Sequence, residues 1–262
     1  MFNNNDKVFE MFNKSCLDSE MEYDKVFIDA DSIIYRVAVT TDSITQAKSA
    51  FDKALDGIMR DTGAVKGYVA VKGKGNFRYD IAEDYKQQRS TTKVDPKITE
   101  RRNALTEYAW DNGCFKSDNC EADDICCIWA QEAMDAGEHY LIAHIDKDLN
   151  GCPGWHYNFN KKEFYFVNEE EAHKFFCLQL LTGDSTDNIM GLKGIGPKKA
   201  EKILNGVPHD KLLEAVRNAW RDHHLRDWKP LLENCFNLIY MRRKWGDFRR
   251  LTLEEVFEND GK

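Results

Sequence analysis

Residues 180–204 read LLTGDSTDNIMGLKGIGPKKAEKIL, and the chain changes character across them. Before this stretch, short apolar runs alternate with helical patterns; after it, helical patterns continue alone. Asp184 and Asp187 stand at i, i+3, so on a helical turn they share a face. The glycine-punctuated segment GLKGIGPKKA at 191–200 follows at once. Gly194 and Gly196 let the backbone reach positive φ and approach a bound group with no Cβ in the way. Pro197 suits the first turn of the next helix, whose free N–H groups attract anions. Lys193, Lys198, Lys199 and Lys202 add positive charge. A phosphate backbone fits that combination, gripped without regard to base sequence.

Upstream, KVFID at 25–29 is a buried-strand pattern ending in Asp29. Residues 32–39 and 43–60 read as helices, with Gly63 as the stop. GYVAVK at 67–72 is a second strand, and 73–95 is polar, basic and irregular. Pro96 opens a helix running to about Asp111, and a short strand begins at Cys114–Phe115. A helix spans 121–136. HYLIAHI at 139–145 and KEFYFVN at 162–168 are further strands, the second preceded by a turn built on Gly and Pro. From Glu169 onward the pattern is helical apart from the glycine turns. These elements imply an α/β domain over 25–180, with a mostly parallel sheet flanked by helices. A basic segment at 73–105 belongs to it. A helical domain follows at 181–262, and residues 1–24 read as an N-terminal extension.

The carboxylates fall where strands end, which is where ligands sit in open α/β sheets. Asp29 closes the first strand; Asp146 and Asp148 follow the strand at 139–145. Glu121, Asp123 and Asp124 crowd the first turn of a helix, where the partial positive charge tolerates them. With Asp184 and Asp187 this makes eight acids in four sequence-distant clusters. Brought together, they repel one another unless cations neutralise them, and hard divalent ions such as magnesium or manganese prefer all-oxygen surroundings.

Charge is distributed to match. The 262 residues carry a net −8, yet segments 1–65, 66–102, 103–190 and 191–262 carry −5, +5, −12 and +4. An acidic middle between two basic stretches suits a metal-filled site flanked by phosphate-gripping surfaces. A carboxylate cluster beside such a turn points to hydrolysis of phosphodiester bonds. A hydrophobic content of 42% with 31% charged residues describes an ordinary globular chain. No apolar run approaches the roughly 20 residues a membrane span needs, and the polar start MFNNNDKVFE is no signal peptide, so a cytoplasmic location is expected. The eight cysteines show no CxxC spacing, so reduced thiols are expected, with Cys126 and Cys127 as packing residues.

Taken in order, FIDADSIIYR (27–36), DYKQQR (84–89), EADD (121–124), DKDL (146–149), GDSTDNI (183–189) and GIGPKKA (194–200) resemble the flap endonuclease and 5′-to-3′ exonuclease family, its stand-alone bacteriophage members above all. The resemblance covers roughly residues 25–205. It implies a PIN-like, resolvase-like nuclease domain whose basic arch spans 73–105, followed by a helix-three-turn-helix segment of the helix–hairpin–helix type that binds DNA. It further implies two Mg2+ or Mn2+ ions, and often K+ at the glycine turn on backbone carbonyls. By that resemblance Asp29, Glu121, Asp123 and Asp124 serve mainly one metal, and Asp146, Asp148, Asp184 and Asp187 the other. Lys86 and Arg89 would contact the scissile phosphate, and Tyr85 would stack on a base or pack. Lys72, Lys74 and Arg78 join the DNA-binding set. Family members usually carry another aspartate at the end of the second strand, and here that position falls at or near Val71. This departure bears on metal stoichiometry.

The expected substrates are DNA with 5′ ends, nicks or flaps, and RNA primers. A separate polymerase or single-strand-binding protein is a candidate recruiter. Two other readings stand beside this one: a structure-specific DNA-binding protein with a weakened site, and a PIN-type ribonuclease. The run MRRKW at 241–245, with Arg249 and Arg250, forms a basic patch near Trp245 and Phe248 that either touches duplex DNA or lies exposed. His144 is expected to be a core or edge residue.

Overall fold

The structure is a computed structural model that describes residues 23–88, 94–224 and 226–255. Arg89, Cys16 and nearly all of the expected N-terminal extension lie outside the described residues.

Six strands form one sheet in the order β3-β2-β1-β4-β5-β6. They are β1 (Lys25–Asp29), β2 (Lys66–Lys72), β3 (Phe115–Ser117), β4 (Tyr140–His144), β5 (Gly154–Asn158) and β6 (Glu163–Val167). The first five pair in parallel; β6 returns antiparallel on β5. Alternation along β1 sends side chains to two different cores. Val26 and Ile28 join α1 (Asp31–Thr40) and α2 (Ile44–Thr62), and the helix Pro96–Asp111 packs there through Leu105 and Ala109. Phe27, with Ala70 and Ile142, packs instead against the helix Ala122–Asp135. Helices therefore cover both faces, which leaves only the strand ends open. Each fully buried aliphatic or aromatic side chain in these layers contributes about 1.5–3 kcal/mol.

Ser43 caps α2 through the Gln46 amide, and Gly63 ends it at φ 63°, donating its N–H to Met59. That is the stop expected from the sequence. A third core lies in the helices Glu169–Thr182, Pro197–Leu204, Leu212–His224 and Trp228–Ile239, centred on Leu180, Trp220 and Phe236. Tyr85 packs into it from the first half of the chain.

The structure departs from the sequence expectations in three places. Residues 154–158, read as part of a turn, form β5: Gly154 and Pro153 obscured a short strand whose pairing with β4 decides its conformation. Residues 183–190 are not helical but a two-stranded ribbon, β7 (Gly183–Asp184) against β8 (Ile189–Met190). Gly183 takes φ 66°, and a Cβ there would lie 2.3 Å from the Ile189 carbonyl oxygen; one on Gly191 would lie 2.3 Å from the Gly183 nitrogen. Only glycine permits that approach. Residues 240–251, expected to be helical, form an irregular strap.

Candidate active site

The eight predicted carboxylates gather along the C-terminal edge of the parallel strands. Asp29 ends β1 and is 6% exposed. The parallel pairing of β1 with β4 brings the loop carrying Asp146 and Asp148 beside it. The first turn of Ala122–Asp135 contributes Asp123 and Asp124 after Glu121. The β7–β8 ribbon contributes Asp184 and Asp187, so the pair shares a hairpin rather than the helical face expected from its spacing. Thr186 N–H closes that hairpin on Asp184 Oδ1 at 2.7 Å.

Cationic side chains neutralise part of this cluster. Lys86 bridges Glu121 and Asp187, the second at 3.4 Å, and takes φ 56° to do so. Its own N–H donates to the Asp187 carbonyl at 2.9 Å. The Tyr85 hydroxyl donates to Glu121 Oε2 at 2.9 Å, and Asn188 holds the preceding Asp84. Lys147 lies 3.4 Å from Asp184 Oδ2, and Gln179 donates to Asp148 Oδ1 at 2.7 Å. Burial works against the Glu121 charge, but Lys86 and Arg78 outweigh it and hold its pKa below the ordinary value.

Asp124 is held differently. It is fully buried, and Arg78 donates to it in a bidentate pair at 2.6 and 2.9 Å. The Glu121 and Arg242 amides add two more donors, at 3.1 and 2.9 Å. Four donors occupy its oxygens, so Asp124, expected among the metal ligands, is the ion-pair partner of Arg78 in this structure. Arg78, expected to touch DNA, is 2% exposed and also donates to the Leu238 and Tyr240 carbonyls. Tyr85, given base stacking or packing as alternatives, is buried and packs.

Other acids have no such partner. Among the described residues, no lysine or arginine forms an ion pair with Asp29, Asp123, Asp146 or Asp148. Burial, then the charge of Asp31, pushes the Asp29 carboxyl up to about 8. Burial, then Asp146 and Asp184, pushes Asp148 up to about 7. Asp123 rises well above the carboxylate range, from burial and then Glu121. These mutual effects put the clusters in one electrostatic patch. As the side chains stand, no three acidic, histidine or cysteine groups among the described residues close around one point. The donor set is nonetheless all oxygen, and the Lys86 ammonium sits between two carboxylates as a cation would. Those two features fit a hard divalent ion.

Lys147, Gln179 and Asp31 stand in this patch without having been among the expected site residues. Only Asp31 had a signal, standing two residues after Asp29 at the same strand end.

Lys72 ends β2 and Lys74 follows it, both exposed. Lys193, Gly194, Gly196, Lys198, Lys199 and Lys202 are all exposed on the glycine turn and the helix it opens. Gly194 takes φ 78°, but Gly196 is extended at φ −94°, so only the first needs glycine for its backbone angle. Pro197 opens the helix as expected, and Lys199 Nζ donates to the Gly194 carbonyl at 2.8 Å.

Within the run at 241–250, Arg242 turns inward, while Lys244, Trp245, Arg249 and Arg250 are exposed. Arg242 is 0% exposed; it bonds Asn237 and the carbonyls of Asp247 and Arg249, and stacks over Phe77 at 4.5 Å. Arg249 pairs with Glu255, Arg250 with Glu233, and Trp245 with Glu132. The patch expected to touch DNA or lie exposed is exposed over most of its length, with Trp245, Arg249 and Arg250 tied to glutamates and Arg242 buried beneath. His144 is buried, donating to or accepting from His156 at 2.7 Å, as a core residue. The seven described cysteines are unbridged, and all but Cys114 are buried.

A cavity of about 1250 Å³ opens at the opposite end of the strands, lined by Tyr23, Tyr140, Trp155 and Phe166. None of the predicted site residues lines it.

Residues 24–174 match the family model described as the 5′-3′ exonuclease N-terminal, resolvase-like domain. The chain belongs to the 5′-3′ exonuclease family. It is 32% identical over 169 residues to DNA polymerase I of Rhizobium leguminosarum, covering 59% of this chain and 16% of that protein. It thus spans under a fifth of that relative's length. Among solved structures, T5 5′-exonuclease with bound divalent metal ions (zinc) superposes at a TM-score of 0.63 and 17% identity, over 83% of this chain and 89% of that one. The catalytic core of Rad2 in complex with DNA substrate gives a TM-score of 0.52 at 15% identity, with 88% and 83% covered. This member of the family shares their fold: a mostly parallel sheet between helices, with a helical C-terminal region. No helix among its described residues is long and apolar enough to cross a membrane.

Proposed function

We propose that the chain is a metal-dependent 5′-to-3′ exonuclease or flap endonuclease, hydrolysing DNA, and RNA primers on DNA, near 5′ ends, nicks and flaps. The observation that supports this reading is the gathering at the strand ends of carboxylates that the described cations compensate only in part, with Lys86 and Lys147 on Glu121, Asp187 and Asp184 and no ion pair on Asp29, Asp123, Asp146 or Asp148. Asp29, Glu121 and Asp123 form one ligand group, and Asp146, Asp148, Asp184 and Asp187 the other, with Asp124 holding Arg78 beneath the first. Two bound Mg2+ or Mn2+ ions would supply an activated water and stabilise charge on the attacking and leaving oxygens.

The protein's own groups do the rest. Lys86, buried against Glu121 and Asp187, is placed to exchange a carboxylate for a phosphate oxygen when substrate enters. Its burial alone would lower its pKa, but the surrounding acids raise it, so it arrives charged. Arg89 would act beside it from the arch over 73–105. Lys72 and Lys74 flank the entrance. The exposed glycine turn, with Lys193, Lys198, Lys199 and Lys202, would hold duplex backbone in a DNA-binding domain beginning near residue 181. Lys199 on the Gly194 carbonyl marks where K+ would compete. Replication or repair is the setting this activity fits, in the cytoplasm of a cell or phage-infected host, with a separate polymerase or single-strand-binding protein as recruiter.

The test is cleavage of 5′-labelled nicked, flapped and blunt DNA, and of an RNA–DNA hybrid, with and without Mg2+, beside Asp146→Asn. Short labelled products that need Mg2+ and vanish in the variant are expected. Tight flap binding without cleavage would favour the weakened-site reading, and cleavage of RNA alone a ribonuclease.

A further inference from the structure

Asp31 stands outside every ligand group named so far, yet its carboxylate lies in the same patch. It opens α1 and is only half-buried by its neighbours. Its amide donates to Asp29 Oδ1 at 3.1 Å, and its own Oδ1 accepts the Lys72 amide at 2.8 Å. Asp31 is thereby tied to the C-terminal ends of both β1 and β2, its carboxylate through the Lys72 amide alone, and the second carboxylate oxygen accepts no hydrogen bond from the described residues. No lysine or arginine among the described residues forms an ion pair with it. The Asp29 carboxylate beside it is more than nine-tenths buried and has no side-chain partner among the described residues; the Asp31 amide is its one donor there.

Two adjacent carboxylates at such a place are costly unless a cation joins them. A helix-start aspartate that served folding alone would bond its own helix's N–H groups. Asp31 bonds across to the neighbouring strand instead. Val71, directly before Lys72, is 0% exposed and packed in the apolar core with Val26, Ile28 and Ile33, so position 71 offers no side-chain oxygen. Asp31 reaches over that strand end from α1.

We propose that Asp31 is a further metal-ligating carboxylate of this centre, acting with Asp29 and supplying at the end of β2 the oxygen that Val71 does not. This rests on the metal-dependent reading above. Lys72, whose amide fixes the carboxylate, is the positioning residue, and the free Asp31 oxygen is the one offered to the ion.

The test is Mn2+ binding to the full chain, followed by the paramagnetic signal of free Mn2+, for wild type, Asp31→Asn, Asp31→Glu and Asp29→Asn. Asparagine keeps an acceptor for the Lys72 amide and removes only the charge. Asp31→Asn should weaken Mn2+ binding about tenfold or more, or delete one ion from the stoichiometry. Its metal-free melting temperature should be unchanged or higher. Asp31→Glu should restore most of the binding. Wild-type binding by Asp31→Asn, or equal loss in both Asp31 variants, would overturn the proposal and leave a structural helix-start residue. If wild type binds no Mn2+, the metal-dependent reading itself fails; if only Asp29→Asn loses binding, this inference fails alone.

Discussion

Asp124 and Asp29 are buried in the same layer of carboxylates, and the protein treats them in opposite ways. Asp124 has two guanidinium N–H groups and two backbone amides on its oxygens. Asp29 has one amide and, among the described residues, no cation. A carboxylate that holds the fold together is folded with its counter-charge, because an unpaired buried ion costs several kcal/mol. One left without a counter-charge raises stability only when something from solution supplies it. The same contrast separates two basic regions. The arginines at 242, 249 and 250 come with acceptors, whereas most lysines around the glycine turn face solvent.

Breaking the compensated side should have the largest effect. Asp124→Ala leaves the buried Arg78 with only the more distant Glu121 carboxylate, at 3.7 Å, as counter-charge, and should cost about 3 kcal/mol in urea unfolding. Gly183→Ala or Gly191→Ala pushes a Cβ into backbone across the β7–β8 ribbon. Each should cost about 2–4 kcal/mol and displace Asp184 and Asp187, which is checked by melting temperature together with loss of Mn2+ affinity.

The uncompensated side makes stability depend on pH. Asp29 and Asp148 have folded pKa values raised to about 8 and about 7, above the unfolded value near 4. Raised carboxyl values mean that the fold favours the protonated form. Their contribution is present below the unfolded pKa and is lost as pH rises through 7 and 8. In EDTA the melting temperature should therefore fall between pH 5.5 and 8.5, and saturating Mg2+ should remove most of that fall.

The smallest effects concern the basic regions. Lys198→Ala with Lys199→Ala should weaken duplex binding similarly for every sequence and flatten the log–log salt slope by roughly one for each phosphate no longer gripped. Arg249→Ala and Arg250→Ala should leave that slope unchanged, since both side chains are engaged with glutamates.

Much of this was legible in the residues because it follows from short-range chemistry. Strand-then-acid patterns at Asp29 and at Asp146 placed carboxylates at the sheet edge, and Gly63 and Pro197 marked helix ends. What escaped depends on tertiary contacts. β5 exists because β4 pairs with it, not because GWHYN favours a strand. The inward turn of Arg242 depends on Asn237 and on carbonyls of the strap, which no spacing rule reveals. The contrast between Asp124, paired with a guanidinium, and Asp123, which has no ion pair among the described residues, is set by Arg78, more than forty residues away. Asp31 was hidden by its resemblance to an ordinary helix start.

The central claim is that Asp29 is left bare for a cation, and its most direct test is the unfolding free energy of Asp29→Asn at pH 8, in EDTA and in saturating Mg2+. The variant should equal or exceed wild type in EDTA and gain much less than wild type from Mg2+. A variant less stable than wild type in EDTA, and stabilised as strongly by Mg2+, would contradict the account and make Asp29 a structural residue like Asp124.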